Sequence, residues 1–131
     1  MFSLIITIIS IALVSALALA TIFYGGSAFK QGSTQAAAAQ FINEAQQING
    51  AAELYQVNTG NAPVSTADLV TANYLSKVPS AGWTVIDGAV IREMANADIC
   101  LAANKVLGIS VIPVCGDPAY TGKEYCCTQP E

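Results

Sequence analysis

The sequence predicts an α+β protein in which one long N-terminal helix, apolar and then amphipathic, packs on a small antiparallel sheet. Residues 1–29 carry no charged side chain. A three-and-four spacing of apolar residues follows, which is typical of a half-buried helix. The last third combines short β-rich segments with all four cysteines. We therefore expect an apolar stem over residues 1–29 and, over residues 30–131, the amphipathic half of the helix with a disulfide-bonded globular head.

The charge-free stem is long enough to cross a bilayer. A helix rises about 1.5 Å per residue, so residues 2–24 would span a hydrocarbon core of roughly 30 Å. Such a stem must lie in a membrane or be covered by copies of itself. A secretory signal peptide is the alternative, because residues 16–20 resemble its cleavage site. Signal peptides begin with a basic region, however, and the first cation here is Lys30.

The stem also carries a pattern typical of close helix packing. Ala12, Ala16 and Ala20 recur every four residues, and small residues at this spacing let neighbouring helices approach closely in lipid. The alternative is that alanine is simply common in apolar helices. Ser3, Thr7 and Ser10 fall on another stripe, where their hydroxyls can bond back to the preceding turn.

Glycines interrupt the helical pattern after the stem. Gly25 and Gly26 precede a serine, and a second Gly–Ser pair occupies residues 32–33. Glycine costs about 1 kcal/mol per helix position, and Gly/Ser pairs cause kinks, so we expect a helix break at Gly25 and Gly26. The helix resumes with an apolar stripe and stops before Gly60, which suits a left-handed cap. The stripe consists of Ala38, Phe41, Ile42, Ala45, Ile48, Ala52 and Tyr55.

Turn and capping signals organise the middle of the chain. Residues 65–68 match a capping box that opens a short helix. Two apolar runs, Trp83–Ile86 and Ala89–Ile91, flank Asp87-Gly88. This dipeptide is a strong signal for a tight hairpin turn.

The C-terminal third is expected to hold one more helix and two more strands. Asp98 is a candidate cap for a helix that runs through Leu107 and ends at a glycine. Residues 109–114 have strand character, although a proline moves that strand toward a sheet edge. A final strand is expected near residues 124–128.

The four cysteines are Cys100, Cys115, Cys126 and Cys127. An even number in a small domain is typical of a disulfide framework in an oxidising compartment. A bond between the two adjacent cysteines is sterically awkward, which leaves two pairings open: 100–126 with 115–127, or 100–127 with 115–126. A zinc site is the less favoured alternative, because the chain has no histidine and no Cys-x-x-Cys pair.

Composition excludes several classes of function. Five basic and nine acidic residues, without a basic cluster, argue against binding of nucleic acid. The chain has no histidine, Gly-rich phosphate loop or nucleophile elbow, so we expect no catalysis, no metal and no cofactor. Glu44 and Glu53 are interpreted as solvated residues on the polar helix face. Trp83 is interpreted as a core anchor.

Taken together, these segments resemble the type IV pilins, especially the type IVb class of toxin-coregulated, bundle-forming and conjugative thin pilus pilins. The matching features are the uncharged stem, its amphipathic continuation through residues 46–51, and the turn after Tyr55. Residues 60–63 and 74–79 are similar to the pilin connecting loop. The cysteines are similar to those of the pilin disulfide region.

The resemblance implies a major structural subunit of an extracellular filament that serves adhesion, motility, DNA uptake or conjugative contact. Its stem would lie in the inner membrane before assembly and in the filament core afterwards. The implied partners are identical subunits, a prepilin peptidase and the pilus assembly machinery. Two alternatives remain: a minor pilin-like component of a secretion machine, and a single-pass anchored binding protein.

The resemblance also implies roles for particular residues. Met1 would be the N-methylated first residue of the processed chain, preceded in the gene by a short basic leader. Pilins usually have a glutamate in the first turn or so of the stem, whereas this chain has Ile5. Ile5 and the alanine stripe would form helix–helix assembly contacts. The unwound pilin segment would correspond to the helix break expected at Gly25 and Gly26.

Overall fold

The computed structural model describes residues 1–86, 88–93, 96–120 and 122–130. The elements in chain order are α1 (Phe2–Thr59), α2 (Thr66–Thr71), β1 (Trp83–Ile86), β2 (Ala89–Glu93), α3 (Ala97–Val106) and β3 (Cys126–Cys127). The chain divides into two compact units, Met1–Thr34 and Gln35–Glu131. The predicted fold class is confirmed, because a long N-terminal helix packs on a small three-stranded sheet.

Helix α1 continues through the glycines where a break was expected. The segment around Gly25 and Gly26 is helical without interruption, so the predicted break is wrong for this chain. The hydroxyl of Ser27 donates back to the carbonyl of Tyr24 at 3.3 Å. Each glycine costs only about 1 kcal/mol in a helix. Unwinding would free backbone groups that need protein or water as new partners. Among the described residues, apart from the neighbouring turns of the helix itself, nothing lies within 4 Å of a Cβ added at either glycine.

The second half of α1 supplies one wall of the hydrophobic core. Ala45, Ile48, Ala51 and Ala52 are buried and cluster with buried residues of α2 and both strands of the hairpin, namely Leu69, Trp83 and Val90. The predicted stripe is therefore confirmed: its alanines and Ile48 are buried, and its larger members Phe41, Ile42 and Tyr55 are half-buried. The helix ends as expected, since Gly60 has φ +78° and its N–H donates to the carbonyl of Gln56.

The sheet is mixed, whereas the sequence predicted an antiparallel sheet. Strands β1 and β2 form the expected antiparallel hairpin, in which Trp83 is opposite Arg92; Asp87 of its turn lies outside the described residues. Strand β3 pairs with β2 in parallel, with Arg92 opposite Cys126. Parallel neighbours need a crossover of a dozen or more residues. The connection between Glu93 and Cys126, which includes α3, is long enough to supply one.

Both short helices begin at polar caps. The capping box of α2 is confirmed: the Ser65 hydroxyl accepts from the Asp68 N–H, and the Asp68 carboxylate accepts from the Ser65 N–H. The expected cap of α3 is wrong, because Asn96 caps it and Asp98 lies in the first turn. The Asn96 side-chain oxygen accepts from the Asp98 N–H at 3.0 Å. Gly108, with φ +81°, follows the helix as predicted.

The strand expected over residues 109–114 is not formed. Only Val114 of this segment joins a β-bridge among the described residues, in parallel with Thr128. Pro113 has no N–H to donate to a ladder, although its carbonyl accepts from the Thr128 N–H at 2.9 Å. The final strand is confirmed in place but is shorter than residues 124–128, because β3 comprises only Cys126 and Cys127.

Candidate functional site

The apolar stem is an extended, uncovered helix surface. All residues from 1 to 29 are exposed, and the most apolar window of α1 has none of its surface buried. By length and composition, α1 is the one helix among the described residues that is able to cross a membrane. Burying a large aliphatic or aromatic side chain is worth about 1.5–3 kcal/mol. A stem with this many exposed apolar side chains is therefore unfavourable in water unless lipid or other protein surface covers it.

The predicted assembly residues lie on one side of this stem. Ala12, Ala16 and Ala20 are exposed at successive helical turns. Ile5 lies seven residues before Ala12, which rotates it by only about 20° around the helix, and 55 % of its surface is exposed. Met1 precedes α1, and its carbonyl accepts from the Ile5 N–H at 3.3 Å. The roles of these residues in assembly, and the methylation of Met1, stay predictions.

Two of the three stem hydroxyls that were expected to bond back to the helix backbone do so; Ser3 does not, because α1 begins at Phe2 and offers it no preceding turn. The Thr7 hydroxyl donates to the Leu4 carbonyl at 2.8 Å, and the Ser10 hydroxyl donates to the Ile6 carbonyl at 2.8 Å. Ser15 makes the same kind of bond at 2.7 Å. Because each of these donors has a partner within the helix, it can enter an apolar surrounding without an unsatisfied hydroxyl.

The cysteines form two disulfides, which resolves the two pairings left open by the sequence. Cys100 of α3 is bonded to Cys126, and Cys115 is bonded to Cys127. All four cysteines are therefore paired. The two adjacent cysteines of β3 bond in different directions, one to a helix and one to the preceding loop. This short strand is thereby attached to both of its neighbouring segments.

A buried asparagine that the sequence analysis missed completes the attachment of β3. Asn104 has no exposed surface, and its amide nitrogen donates to the Cys126 carbonyl at 2.9 Å. Its side-chain oxygen accepts from the Tyr125 N–H at 2.9 Å and from the Cys126 N–H at 3.3 Å. The sequence offered one signal for this role. Asn104 lies four positions after Cys100 on the same helix, so the two side chains are on the same buried face.

A cluster of hydrogen-bonding and aromatic side chains joins α1 to the hairpin. We call it the Glu44 cluster; it consists of Phe41, Glu44, Ser80, Trp83 and Arg92. The Ser80 hydroxyl donates to the Glu44 carboxylate. It also accepts from Trp83 Nε1 at 3.1 Å and from Arg92 Nη1 at 3.0 Å. One donor and two acceptor sites are all that a hydroxyl offers, so Ser80 is saturated.

Glu44 is the charged centre of this cluster. Its Oε2 also accepts from Trp83 Nε1 at 3.2 Å and lies 3.7 Å from Arg92 Nη1. The Arg92 guanidinium is 5.5 Å from the ring centre of Phe41 and 5.7 Å from that of Trp83, within cation–π range. The side chains of Glu44 and Arg92 are only 13 % and 25 % exposed.

The environment of Glu44 shifts the titration of its carboxyl. Burial alone raises the pKa of Glu44, but hydrogen bonds from Ser80, Trp83 and Gln40, with the charge of Arg92, together lower it below its ordinary 4.5. The interpretation of Glu44 as a solvated residue is therefore wrong, because it lies at the edge of the buried stripe. The interpretation of Trp83 as a core anchor is confirmed, since it is 4 % exposed.

Comparisons with known proteins leave the family of this chain open. No protein-family model matches the sequence, and no curated protein or solved structure shows significant similarity to it. The resemblance to type IV pilins therefore depends on the sequence features and on the agreement in fold class alone.

Proposed function

We propose that this protein is a structural subunit of an extracellular type IV pilus-like filament that assembles through its N-terminal helix. The observation that carries the proposal is the stem: residues 1–29 have no charged side chain and are all exposed, and residues 2–29 belong to one uninterrupted helix. The same helix continues into a half that packs on a disulfide-bonded head. Before assembly the stem lies in the inner membrane, and in the filament the stems of neighbouring copies cover one another.

Transfer from lipid to a bundle of identical helices needs close packing, because lipid and protein are similarly apolar. Small residues favour this step by letting helix backbones approach. The side of the stem that carries Ala12, Ala16 and Ala20 is suited to such contacts. Ile5 adds an apolar side chain where a pilin glutamate would pair with a terminal amine. Apolar packing can replace a buried ion pair with little loss of stability.

The disulfides support an extracellular head. Bonds of this kind persist in oxidising compartments and are rare in the cytosol of mesophiles. With the stem in the inner membrane, the head is therefore placed on its outer side, from which a filament would grow.

A single-pass anchored protein accounts for the stem and the disulfides equally well. The small-residue stripe supports the filament subunit, because an isolated anchor has no need for a face that admits a second helix. A minor pilin-like component would share the stripe but be present in trace amounts.

The test is imaging of material sheared from cells that produce the protein. We expect filaments in negative stain whose main component, by mass spectrometry, is this chain. An anchored protein would stay in the membrane fraction, and a minor component would be found in trace amounts in filaments made of another chain. Either result would reject the proposed major subunit.

A matched pair of stem variants tests the assembly face. Ala16→Leu adds bulk on the stripe, whereas Ala18→Leu adds the same bulk about 200° away around the helix. We expect the first to reduce filament yield more strongly than the second, with equal amounts of both in the membrane fraction, because leucine is favoured in lipid. Equal filament yields would show that the stripe reflects composition only.

A further inference from the structure

The outward side of α3 combines apolar and charged side chains in a regular order. The helix buries Cys100, Ala103 and Asn104 against the head. Four residues at the helical spacing i, i+3, i+4 and i+7 lie on the opposite side of the helix. We call them the α3 face; they are Asp98, Leu101, Ala102 and Lys105. Ala102 is half-buried and the other members are exposed, so a second molecule can reach this face.

Opposite charges lie at the two ends of the α3 face. Asp98 is in the first turn of the helix and Lys105 is in the last. Their separation of seven residues corresponds to about 10 Å along the helix axis. Charges of these signs also suit the dipole of α3, so the charges alone do not indicate a partner. The apolar residues beside them supply the second observation.

Apolar side chains occupy the middle of the α3 face and border its C-terminal end. Leu101 and Ala102 lie midway between the two charges, and Leu101 is 39 % exposed. Val106, which follows Lys105, is 68 % exposed. The polar face of an amphipathic helix usually carries polar residues at such positions. An apolar centre between charged ends is instead the arrangement of a protein interface, which has an apolar core and a polar rim.

We propose that the α3 faces of two copies of this chain pack against each other as antiparallel helices about a two-fold axis. The axis passes between Leu101 and Ala102, because this point is midway between the two charges. Asp98 of each copy then lies opposite Lys105 of the other, which gives two equivalent ion pairs. A parallel arrangement would place like charges opposite each other. The charge pattern therefore selects the antiparallel dimer, in which one surface complements itself.

The side chains at the axis suit this arrangement. Leu101 meets Leu101 of the other copy, while the small side chain of Ala102 lets the two helices approach. Asp98 also has a partner within its own chain. A carboxylate offers about four acceptor sites, so this interaction leaves capacity for Lys105 of the second copy.

The contact should be weak for two isolated copies and stronger when it is repeated. One helix of ten residues provides a small interface of the transient class, and repetition adds strength through multivalency. Copies within one filament are related by a helical operation and make head-to-tail contacts, whereas a two-fold contact is isologous. The α3 faces would therefore join the heads of different filaments. This consequence rests on the proposed function, but the contact itself does not.

Two charge-reversal variants of the full chain in detergent test the contact. Asp98→Lys places two positive charges on the α3 face, and Lys105→Asp places two negative charges there. Each variant should repel its own copies, whereas a mixture of the two restores both ion pairs. We expect the amide NMR signals of α3 in ¹⁵N-labelled Asp98→Lys to shift when unlabelled Lys105→Asp is added. The mixture should associate at least about tenfold more tightly than either variant alone.

The controls separate this contact from association through the stem. The stem is identical in all variants, so its contribution cancels in the comparison. Lys77→Asp reverses an exposed charge outside α3 and should associate as the native chain does. Association of the mixture also shows that both variants are folded. A mixture that associates no more tightly than the single variants, or an equal loss in Lys77→Asp, would overturn the proposal. Neither measurement needs filaments, so the contact and the proposed function can fail separately.

Discussion

Replacing Glu44 by alanine should destabilise the head more than any other single charge removal on α1. The substitution removes the carboxylate that accepts from Ser80 and from Trp83 Nε1, and that lies 3.7 Å from Arg92. Trp83 keeps a second acceptor, the Ser80 oxygen at 3.1 Å. The Ser80 hydroxyl, in contrast, loses the acceptor of its one proton.

The expected loss follows from these contacts. Hydrogen bonds to a charged group contribute about 1.5–3 kcal/mol each, and a partly exposed ion pair adds less than about 1 kcal/mol. Removal of Glu44 also relieves the cost of burying its charge, which offsets part of the loss. We therefore expect the free energy of unfolding to fall by about 2–3 kcal/mol near pH 7. Glu44→Gln keeps an acceptor oxygen without the charge and should lose about half of this.

The loss should depend on pH in a defined direction. The pKa of Glu44 is lower in the folded protein than its ordinary 4.5, so the unfolded chain binds the proton first as the pH falls. The stabilisation by Glu44 is therefore fully present above about 4.5, declines as the pH falls below that value, and is lost below the folded pKa. The native chain and Glu44→Ala should approach each other in stability over this acidic range.

Urea unfolding followed by tryptophan fluorescence measures these differences directly. Trp83 is the one tryptophan of the chain and belongs to the Glu44 cluster. Its signal therefore reports on the head while detergent keeps the stem soluble. Glu53→Ala is the matched control, because Glu53 is exposed on the same helix and its removal should change stability by no more than about 0.5 kcal/mol. Equal losses for the two alanine variants, or a loss for Glu44→Ala that stays the same at pH 3, would refute the reasoning.

Three further substitutions test the remaining contacts of the head by the same unfolding assay. Asn104→Ala leaves backbone groups around β3 unpaired and should cost about 3–5 kcal/mol; a loss below 1 kcal/mol would contradict its anchoring role. The double variant Cys115→Ser/Cys127→Ser opens a loop of sequence separation 12, with an expected loss of about 3 kcal/mol, and unchanged stability would count against that bridge. Ser65→Ala removes the cap of α2 and should cost about 1 kcal/mol, whereas no change would show that Asp68 suffices.

The sequence predicted those features that depend on near neighbours along the chain. The stop of α1 at Gly60, the capping box at residues 65–68 and the two strands that flank Asp87-Gly88 were all confirmed. In each case the atoms that decide the structure are within a few residues of one another. Local backbone preference and a side-chain hydrogen bond are then sufficient to specify the element.

Contacts between distant segments were less accessible from the sequence. The parallel pairing of β3 with β2 depends on the path of the chain through α3. The Asn104 contacts join segments 21 to 22 residues apart, and the bonds of Ser80 and Trp83 to Glu44 join segments 36 to 39 residues apart. Glu44 lies at the boundary of the apolar stripe, where helical periodicity does not decide whether a side chain meets water or the hairpin. Only the three-dimensional path of the chain determines the partners of such boundary residues.

The incorrect prediction of a break at Gly25 and Gly26 has a different physical origin. A single helix satisfies its own backbone bonds, so two glycines weaken it without opening it. Opening becomes favourable only where another molecule offers partners for the freed groups. Glycine also lowers the cost of that opening, because it lacks the side chain that favours helical backbone angles. The two glycines therefore lower the cost of unwinding this part of the stem, yet α1 stays a continuous helix through them.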